Sequence, residues 1–312
     1  MKLLRWFFLL SVVVLFVACG GKQEGAKTPE AEAKLDDALA LLPGNAIALG
    51  TVDGRAFFGS QTFGADLGKL VEKYVPIGQE AGFQASRDVD RVTWGSYSYQ
   101  GLDVAAIVVG RFDEAKIKAV AANHTPTKAG GMLVQSQYAG RDVYTVSNVG
   151  FTLISPTMAI AGTEAGIRRV LERIKDKRVK RDVAPWMIQT IETPGAAAAV
   201  AADFATQPMP PEVARQIPMP WMNGLKAVRA VATFKDGVQI AGSMTYPDDQ
   251  AAQAASGSVK QAANLSKWLA LLGIKIQTFD VAVEKSDVQV KLAVDDGSLR
   301  TLLAQAPQWL GQ

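Results

Sequence analysis

The sequence predicts an α+β fold in which antiparallel sheets are packed by helices and the chain forms two similar tandem halves. Apolar, β-rich segments alternate with segments whose apolar residues recur at helical spacing. Pairs of strand patterns flank turn-forming residues, as at Gln100-Gly101 and Asp236-Gly237, which predicts hairpins and antiparallel pairing. The order strand, helix, hairpin, helix, hairpin, helix occurs in each half, which indicates a duplicated unit of about 130 residues.

The first half is expected over residues 35–182. It begins with a short helix at 35–42 that ends at Pro43-Gly44. The elements expected after it are a strand at 46–53, a helix at 63–74, a hairpin at 89–100 and 102–112, a helix at 113–123, strands at 132–138, 142–148, 150–155 and 157–162, and a helix at 163–175.

The second half is expected over residues 183–312. Its elements are a strand at 196–204, a Pro-rich segment with a short helix, a hairpin at 225–235 and 238–246, a helix at 248–267, a hairpin at 275–284 and 288–294, and a helix at 298–305. Acidic pairs precede three helices, at Asp113-Glu114, Asp248-Asp249 and Asp295-Asp296. Capping accounts for these acids, whereas a carboxylate hydrolase would need two of them to converge in a cleft.

Residues 1–18 have the three parts of a signal peptide. Lys2 and Arg5 give a positive start, residues 6–18 carry no charge, and Ala18 supplies the small residue that a signal peptidase needs. A helix over the uncharged run would span about 20 Å, less than the roughly 30 Å of a bilayer's hydrocarbon core. We therefore expect this segment to be removed, with a retained membrane anchor as the alternative.

The residues at the expected cut, Phe16-Val17-Ala18-Cys19, resemble the lipobox of bacterial lipoproteins. That pattern places an aliphatic residue and two small residues before a cysteine that becomes acylated; Phe16 departs from it, with Leu15 one place earlier. The resemblance implies a mature chain that begins at lipidated Cys19 and is held to the cell envelope by its acyl chains. Gly20, rather than Asp, implies the outer membrane of a Gram-negative bacterium. A secretory signal with an incidental cysteine is the alternative.

Composition excludes several classes of function. The chain has 33 basic and 30 acidic side chains, and removal of residues 1–18 leaves 31 against 30, so it lacks the global positive charge of a nucleic-acid binder. Cys19 is the only cysteine and His124 the only histidine, which excludes an intramolecular disulfide and a His-based zinc triad. His124 stands at an expected helix end, with a catalytic role as the alternative. We expect no cofactor and no metal.

Residues 19–34 are polar and predict a flexible tether that reaches about 20 Å.

A dense basic run begins inside the helix expected at 163–175 and continues beyond its end. It carries six net positive charges in fourteen residues, because only Glu172 and Asp176 oppose its eight basic side chains. The run can contact anionic lipid, a polyanionic glycan or another envelope protein, or it can be a solvated helix end. Its basic residues are Arg168, Arg169, Arg173, Lys175, Lys177, Arg178, Lys180 and Arg181.

A second candidate surface is rich in proline, methionine and tryptophan. Its side chains can form an adaptable apolar surface for a partner, or they can fill the adjoining core. A copper(I) site at Met219, Trp221 and Met222 is a further alternative. The candidate residues are Trp186, Met187, Met209, Met219, Trp221 and Met222.

The start of the globular part, Leu42-Pro43-Gly44-Asn45-Ala46 to Val52-Asp53, is similar to the opening of uncharacterised bacterial envelope families. That similarity implies no site residue. The sequence as a whole predicts a non-catalytic envelope lipoprotein that binds or scaffolds another envelope component. A carrier for an apolar ligand such as lipid is the second interpretation. It predicts a closed apolar cavity that is lined by residues of strands such as 104–109. A carboxylate-dependent hydrolase is the third.

Overall fold

One continuous antiparallel sheet organises the part of the chain that the structure describes. The structure is a computed structural model that describes residues 35–301 except 62, 73–74, 125, 128–130, 147, 217–218, 236 and 263–274. The expectations for residues 1–34, Cys19 included, and for most of the helix at 298–305 lie outside the described residues. The predicted α+β class with antiparallel pairing is confirmed, and the two halves share a single sheet.

Twelve strands form this sheet in the described residues, in the order β11-β12-β10-β9-β8-β1-β2-β3-β7-β6-β5-β4. The strands are β1 (Ala48–Asp53), β2 (Val89–Ser96), β3 (Val104–Gly110), β4 (Val134–Tyr138), β5 (Arg141–Val146), β6 (Val149–Ser155), β7 (Met158–Thr163), β8 (Ala198–Asp203), β9 (Ala227–Thr233), β10 (Val238–Thr245), β11 (Ile276–Glu284) and β12 (Asp287–Val294).

The helices pack on both faces of the sheet. They are α1 (Ala38–Leu41), α2 (Gly54–Phe58), α3 (Gly64–Glu72), α4 (Ala85–Asp88), α5 (Glu114–Ala122), α6 (Glu164–Lys175), α7 (Pro185–Ile191), α8 (Pro211–Ala214) and α9 (Asp249–Ala262), with 3₁₀ turns at Gln79–Ala81 and Pro220–Met222. The sequence did not predict α2, α4 or α7, which are too short to show a helical period. None of the described helices is long and apolar enough to cross a membrane.

The strand order repeats outward from the centre. From β1 the neighbours are β2, β3, β7 and β6, and from β8 they are β9, β10, β12 and β11. The hairpin β4-β5 extends only the first series. The centre is the antiparallel pair β1–β8, where Gly50 lies opposite Val200 and Ala48 opposite Ala202. The repeated order predicted from the sequence is therefore present, and the two series meet through backbone hydrogen bonds.

Three apolar clusters fill the spaces between sheet and helices. On one face, α1, α6 and α7 cover β1, β3, β7 and β8, with Leu49, Ile107, Ile160 and Ile167 fully buried. On the other face, α5 covers the first half, and α9 with the Pro220–Met222 turn covers the second. Because α7 contacts both β8 and β1, the expected border between residues 182 and 183 passes through a shared core.

Helix starts agree with the caps expected from the sequence. The Asp113 carboxylate accepts a hydrogen bond from the Lys116 N–H at the start of α5, at 3.1 Å. Thr163 does the same for Gly166 in α6 at 3.2 Å, and Asp248 caps α9 through Ala251 at 2.8 Å. Asp295 accepts from Ser298 at 2.8 Å. These four side chains satisfy backbone donors that a helix leaves without partners.

We predict that Gly50→Ala destabilises the centre of the sheet through Trp94. A Cβ at position 50 would lie 2.3 Å from the Trp94 ring, which crosses directly over it. Overpacking of this kind lowers the free energy of unfolding by about 1–3 kcal/mol. Chemical denaturation should show this loss, and a much smaller one in a Trp94→Ala background. Gly257→Ala in α9 is the control because its Cβ meets no atom within 4 Å. An equal loss in both backgrounds contradicts the contact.

A second prediction concerns acid stability. Asp88 is buried and binds Arg87, Arg111 and the Gln84 N–H, and the hydrogen bond from Arg87 lowers its pKa. A lowered folded pKa adds stability above the unfolded pKa, and this contribution is lost as the pH falls through the folded pKa. Asp88→Asn should therefore lower the free energy of unfolding by about 2 kcal/mol at pH 7, and by clearly less near pH 3.

Urea denaturation at both pH values measures this difference. Asp66→Asn is the matched control, because Asp66 lies in an exposed i,i+3 pair with Lys69 and such pairs contribute little to stability. A loss in Asp88→Asn that is the same at pH 7 and pH 3 would show that its ionisation does not stabilise the fold.

Candidate functional site

The helix α6 positions the basic run. Its apolar side, with Ile167, Val170 and Leu171 fully buried, faces the sheet. Gly166 allows the helix to approach β3 closely, since a Cβ there would lie 2.1 Å from the Val104 carbonyl oxygen. The helix ends at Lys175, and Lys177 adopts a positive φ of 55°. The chain therefore turns sharply, and residues 175–181 form a basic loop at the helix C-terminus.

Arg173 lies inside the fold and is only 5% exposed. Its guanidinium donates to both Asp182 carboxylate oxygens, at 3.0 and 3.1 Å. It also donates to the carbonyl oxygens of Ala40 at 3.2 Å and Lys180 at 2.9 Å. The residue joins α6 to α1 and to the loop after α6. The structure thus corrects the expectation that Arg173 belongs to an exposed patch, because its donors serve the fold.

The other α6 arginines are also paired. Arg168 binds Glu164 at 2.5 Å and lies over the Tyr138 ring at 4.7 Å. Arg169 binds Asp103 at 2.6 Å and lies over the Tyr97 ring at 4.8 Å. The guanidinium plane suits both kinds of contact. Each of these two side chains therefore has one acidic and one aromatic partner.

The arginines and the lysines of the basic loop differ in their salt-bridge partners. Arg178 binds Asp176 at 2.9 Å, and Arg181 binds Asp37 at 2.6 Å and Glu192 at 2.8 Å. The hydrogen bond that Arg181 donates to Asp37 raises the pKa of Arg181. Lys175, Lys177 and Lys180 are exposed, and no acid among the described residues lies within salt-bridge distance of them. The free positive charge of the run is therefore carried by three lysines.

A cleft of about 540 Å³ opens beside α6, near the residue at which β1 begins. It brings the loop before β1 together with α6, the basic loop and the loop after β8. Most of its side chains are polar or charged. The lining residues are Pro43, Gly44, Asn45, Arg169, Glu172, Arg173, Arg178, Asp182 and Gln207.

Polar atoms without hydrogen-bond partners cluster at this cleft. In the described part of the chain they include Arg169 Nη1 and Arg173 Nε, which belong to cleft-lining residues, and Asp103 Oδ1 and Tyr97 Oη beneath Arg169. Burial raises the pKa of Tyr97, so its hydroxyl stays protonated. A buried polar atom without a partner costs free energy. Two of the arginines that line the cleft therefore each keep a buried N–H donor without a partner in the protein.

Carboxylates in the cleft are engaged. Asp182 is bound by Arg173, and Glu172 accepts a hydrogen bond from the Tyr138 hydroxyl. The described residues include no group of three or more His, Asp or Glu side chains that could hold a metal ion. His124 is exposed immediately after α5, in the helix-end position expected from the sequence.

The proline, methionine and tryptophan residues do not form one surface. Met187 is 2% exposed and packs with Trp186 in the α7 core, and the Trp186 ring lies under Arg229 at 5.1 Å. Trp221, 8% exposed, packs on the opposite face of the sheet with Met219 and Met222. Met209 is half-buried. The structure corrects the expected apolar patch, because the sheet separates its members and most of them fill cores.

Sequence reasoning missed the partners that build the cleft. Asp182 directly follows the basic run and Gln207 stands at the start of the Pro-rich segment, but neither these two residues nor Asp103 carries a motif that indicates a site. Asp103 is 66 residues away from Arg169, and its position at the start of β3 becomes informative only when β3 pairs with β7. In the sequence, only the basic run indicated where the cleft lies.

No protein-family model matches this chain, and no curated protein is similar to it. Among solved structures, crystal form I of TP0453 is similar to it, with a TM-score of 0.51 and 9% sequence identity, over 86% of this chain and 97% of that one. Crystal form III of TP0453 gives a TM-score of 0.49 at 10% identity, over 86% and 98% of the two chains. At this level of identity, the likeness to crystal form I shows a shared fold and nothing about function.

Proposed function

We propose that this protein is a lipid-anchored envelope protein that binds, without catalysis, an anionic component at the membrane surface. The anchor in this proposal is the acylated Cys19 implied by the lipobox resemblance. The binding surface is the basic loop of residues 175–181. Anionic lipid is the partner we favour, with a polyanionic glycan or an acidic envelope protein as the other candidates.

The salt bridge between Arg181 and Asp37 carries this proposal. It joins the basic loop, at 2.6 Å, to a residue three positions after the end of the proposed tether of residues 19–34. The loop therefore lies beside the point at which the proposed tether enters the fold. A chain held by lipid at Cys19 would present this side to the membrane, where each exposed lysine contributes about 1 kcal/mol at an anionic surface.

The cleft beside α6 supports a binding protein over a lipid carrier and over a carboxylate hydrolase. A lipid carrier needs a large apolar cavity, whereas Ala105 and Ile107 of β3 are fully buried under α6 and most residues that line the cleft are polar or charged. A carboxylate hydrolase needs an acid and a base that are free to act, whereas Glu172 and Asp182 are engaged by Tyr138 and Arg173.

The first prediction concerns the anchor. Replacement of Cys19 by Ser removes the only thiol that can be acylated, so the variant should leave the membrane fraction and be recovered in the soluble fraction. Cell fractionation with immunodetection measures this change, and mass spectrometry of the native protein should find a lipidated amino terminus at Cys19. Membrane partitioning of the variant equal to that of the native chain contradicts the lipid anchor.

The second prediction concerns the basic loop. In the Cys19→Ser background, the triple change Lys175→Glu, Lys177→Glu and Lys180→Glu should weaken binding to phosphatidylglycerol vesicles by about a hundredfold or more, because each lost lysine removes about 1 kcal/mol. Sedimentation with vesicles measures the affinity. Phosphatidylcholine vesicles should bind neither protein.

A variant with the same charge change elsewhere is the matched control. Lys226, Lys235 and Lys285 are exposed and lie outside the basic loop, so their replacement by Glu tests net charge alone. If both triple variants lose the same affinity, the basic loop is not a specific surface. If neither loses affinity, anionic lipid is not the partner.

A further inference from the structure

We propose that the cleft beside α6 is a binding site for the phosphate group of a small phosphate ester. The site is distinct from the basic loop, since Lys175, Lys177 and Lys180 do not line it. Five side chains would contact the ligand through donors: Asn45, Arg169, Arg173, Arg178 and Gln207.

The first argument is the state of the two buried guanidinium groups. Arg173 has a side chain that is 6% exposed, and its two terminal nitrogens are used by Asp182, Ala40 and Lys180. Its Nε has no partner. Arg169 uses Nη2 for Asp103, and its Nη1 has no partner. Two neighbouring arginines on one helix turn thus each keep a buried N–H free.

The second argument is the chemistry that matches these donors. Guanidinium N–H groups form their strongest hydrogen bonds with phosphate and carboxylate oxygens. The amides of Asn45 and Gln207 add neutral donors from two other loops, so donors reach the cleft from several directions. A tetrahedral phosphate presents oxygens in several directions, whereas a carboxylate presents two oxygens in one plane. The arrangement favours phosphate.

The third argument is size. The cleft volume of about 540 Å³ lies within the roughly 300–1,000 Å³ of small-molecule sites and exceeds what an inorganic phosphate ion fills. A phosphate ester therefore fits better than the free ion.

Titration of the Cys19→Ser chain with glycerol 3-phosphate tests the site directly. Calorimetry should show saturable binding of one ligand per chain, and glycerol alone should not bind. Arg169→Gln should weaken binding by about tenfold or more, as expected for the loss of a charge-assisted hydrogen bond. Arg168→Gln is the matched control, because Arg168 is the adjacent residue on α6 and does not line the cleft.

Two milder variants keep the test decisive if Arg169→Gln disturbs the fold. Asn45→Ala and Gln207→Ala remove cleft donors that come from loops, and circular dichroism checks that each remains folded. Each should weaken binding of glycerol 3-phosphate several-fold, while the triple Lys→Glu variant of the basic loop should bind it normally. If glycerol 3-phosphate fails to bind as expected while vesicle binding is intact, only the proposal for the cleft is overturned. If glycerol 3-phosphate binds as expected while vesicle binding fails, only the proposal for the basic loop is overturned.

The source of the phosphate is resolved by competition. If a lipid headgroup occupies the cleft, glycerol 3-phosphate should displace the chain from phosphatidylglycerol vesicles, and Arg169→Gln should weaken vesicle binding. If a soluble ester occupies it, neither effect should occur although the free ester binds. Absence of saturable binding, or equal affinity in the Arg169, Asn45 and Gln207 variants, would overturn the proposal.

Discussion

The antiparallel pairing of β1 with β8 is the constraint on which the rest of the structure depends. All six residues of β8 are buried, and five of them are Ala or Val, because helices cover both faces at the centre of the sheet. Small side chains let α7 approach from one side and the second-half core from the other. The same pairing brings the loop before β1 next to the loop after β8. The cleft beside α6 opens where these two loops meet.

Arg173 then fixes the position of the cleft wall. Its four hydrogen bonds tie α6, α1 and the loop that ends at Asp182 into one unit. Removing one partner of a buried ion pair leaves the other charge unpaired, which destabilises a protein by several kcal/mol. The residue therefore supports the fold through its terminal nitrogens, while its buried Nε has no hydrogen-bond partner.

The sequence predicted features that depend on neighbouring residues, and it did not predict contacts between residues far apart in the chain. Strand and helix bounds agreed to within a few residues, and Asp113, Thr163, Asp248 and Asp295 cap helices as expected, because periodicity and capping act over a few positions. The repeated order of strands and helices along the chain was also visible, since it depends only on the order of segments. The cleft was not, because its contacts join residues such as Arg169 with Asp103 and Arg181 with Asp37, the latter 144 positions apart.

The basic run shows why charge density alone is a poor guide to a site. All five of its arginines form salt bridges and its three lysines form none with the described residues. Arginine presents a planar fork that matches carboxylates, whereas lysine carries a compact, strongly hydrated charge on a flexible stem. One stretch of sequence therefore provides both a rigid wall with directed donors and a solvated surface charge. The first suits a defined small ligand, and the second suits a membrane surface whose charges are mobile.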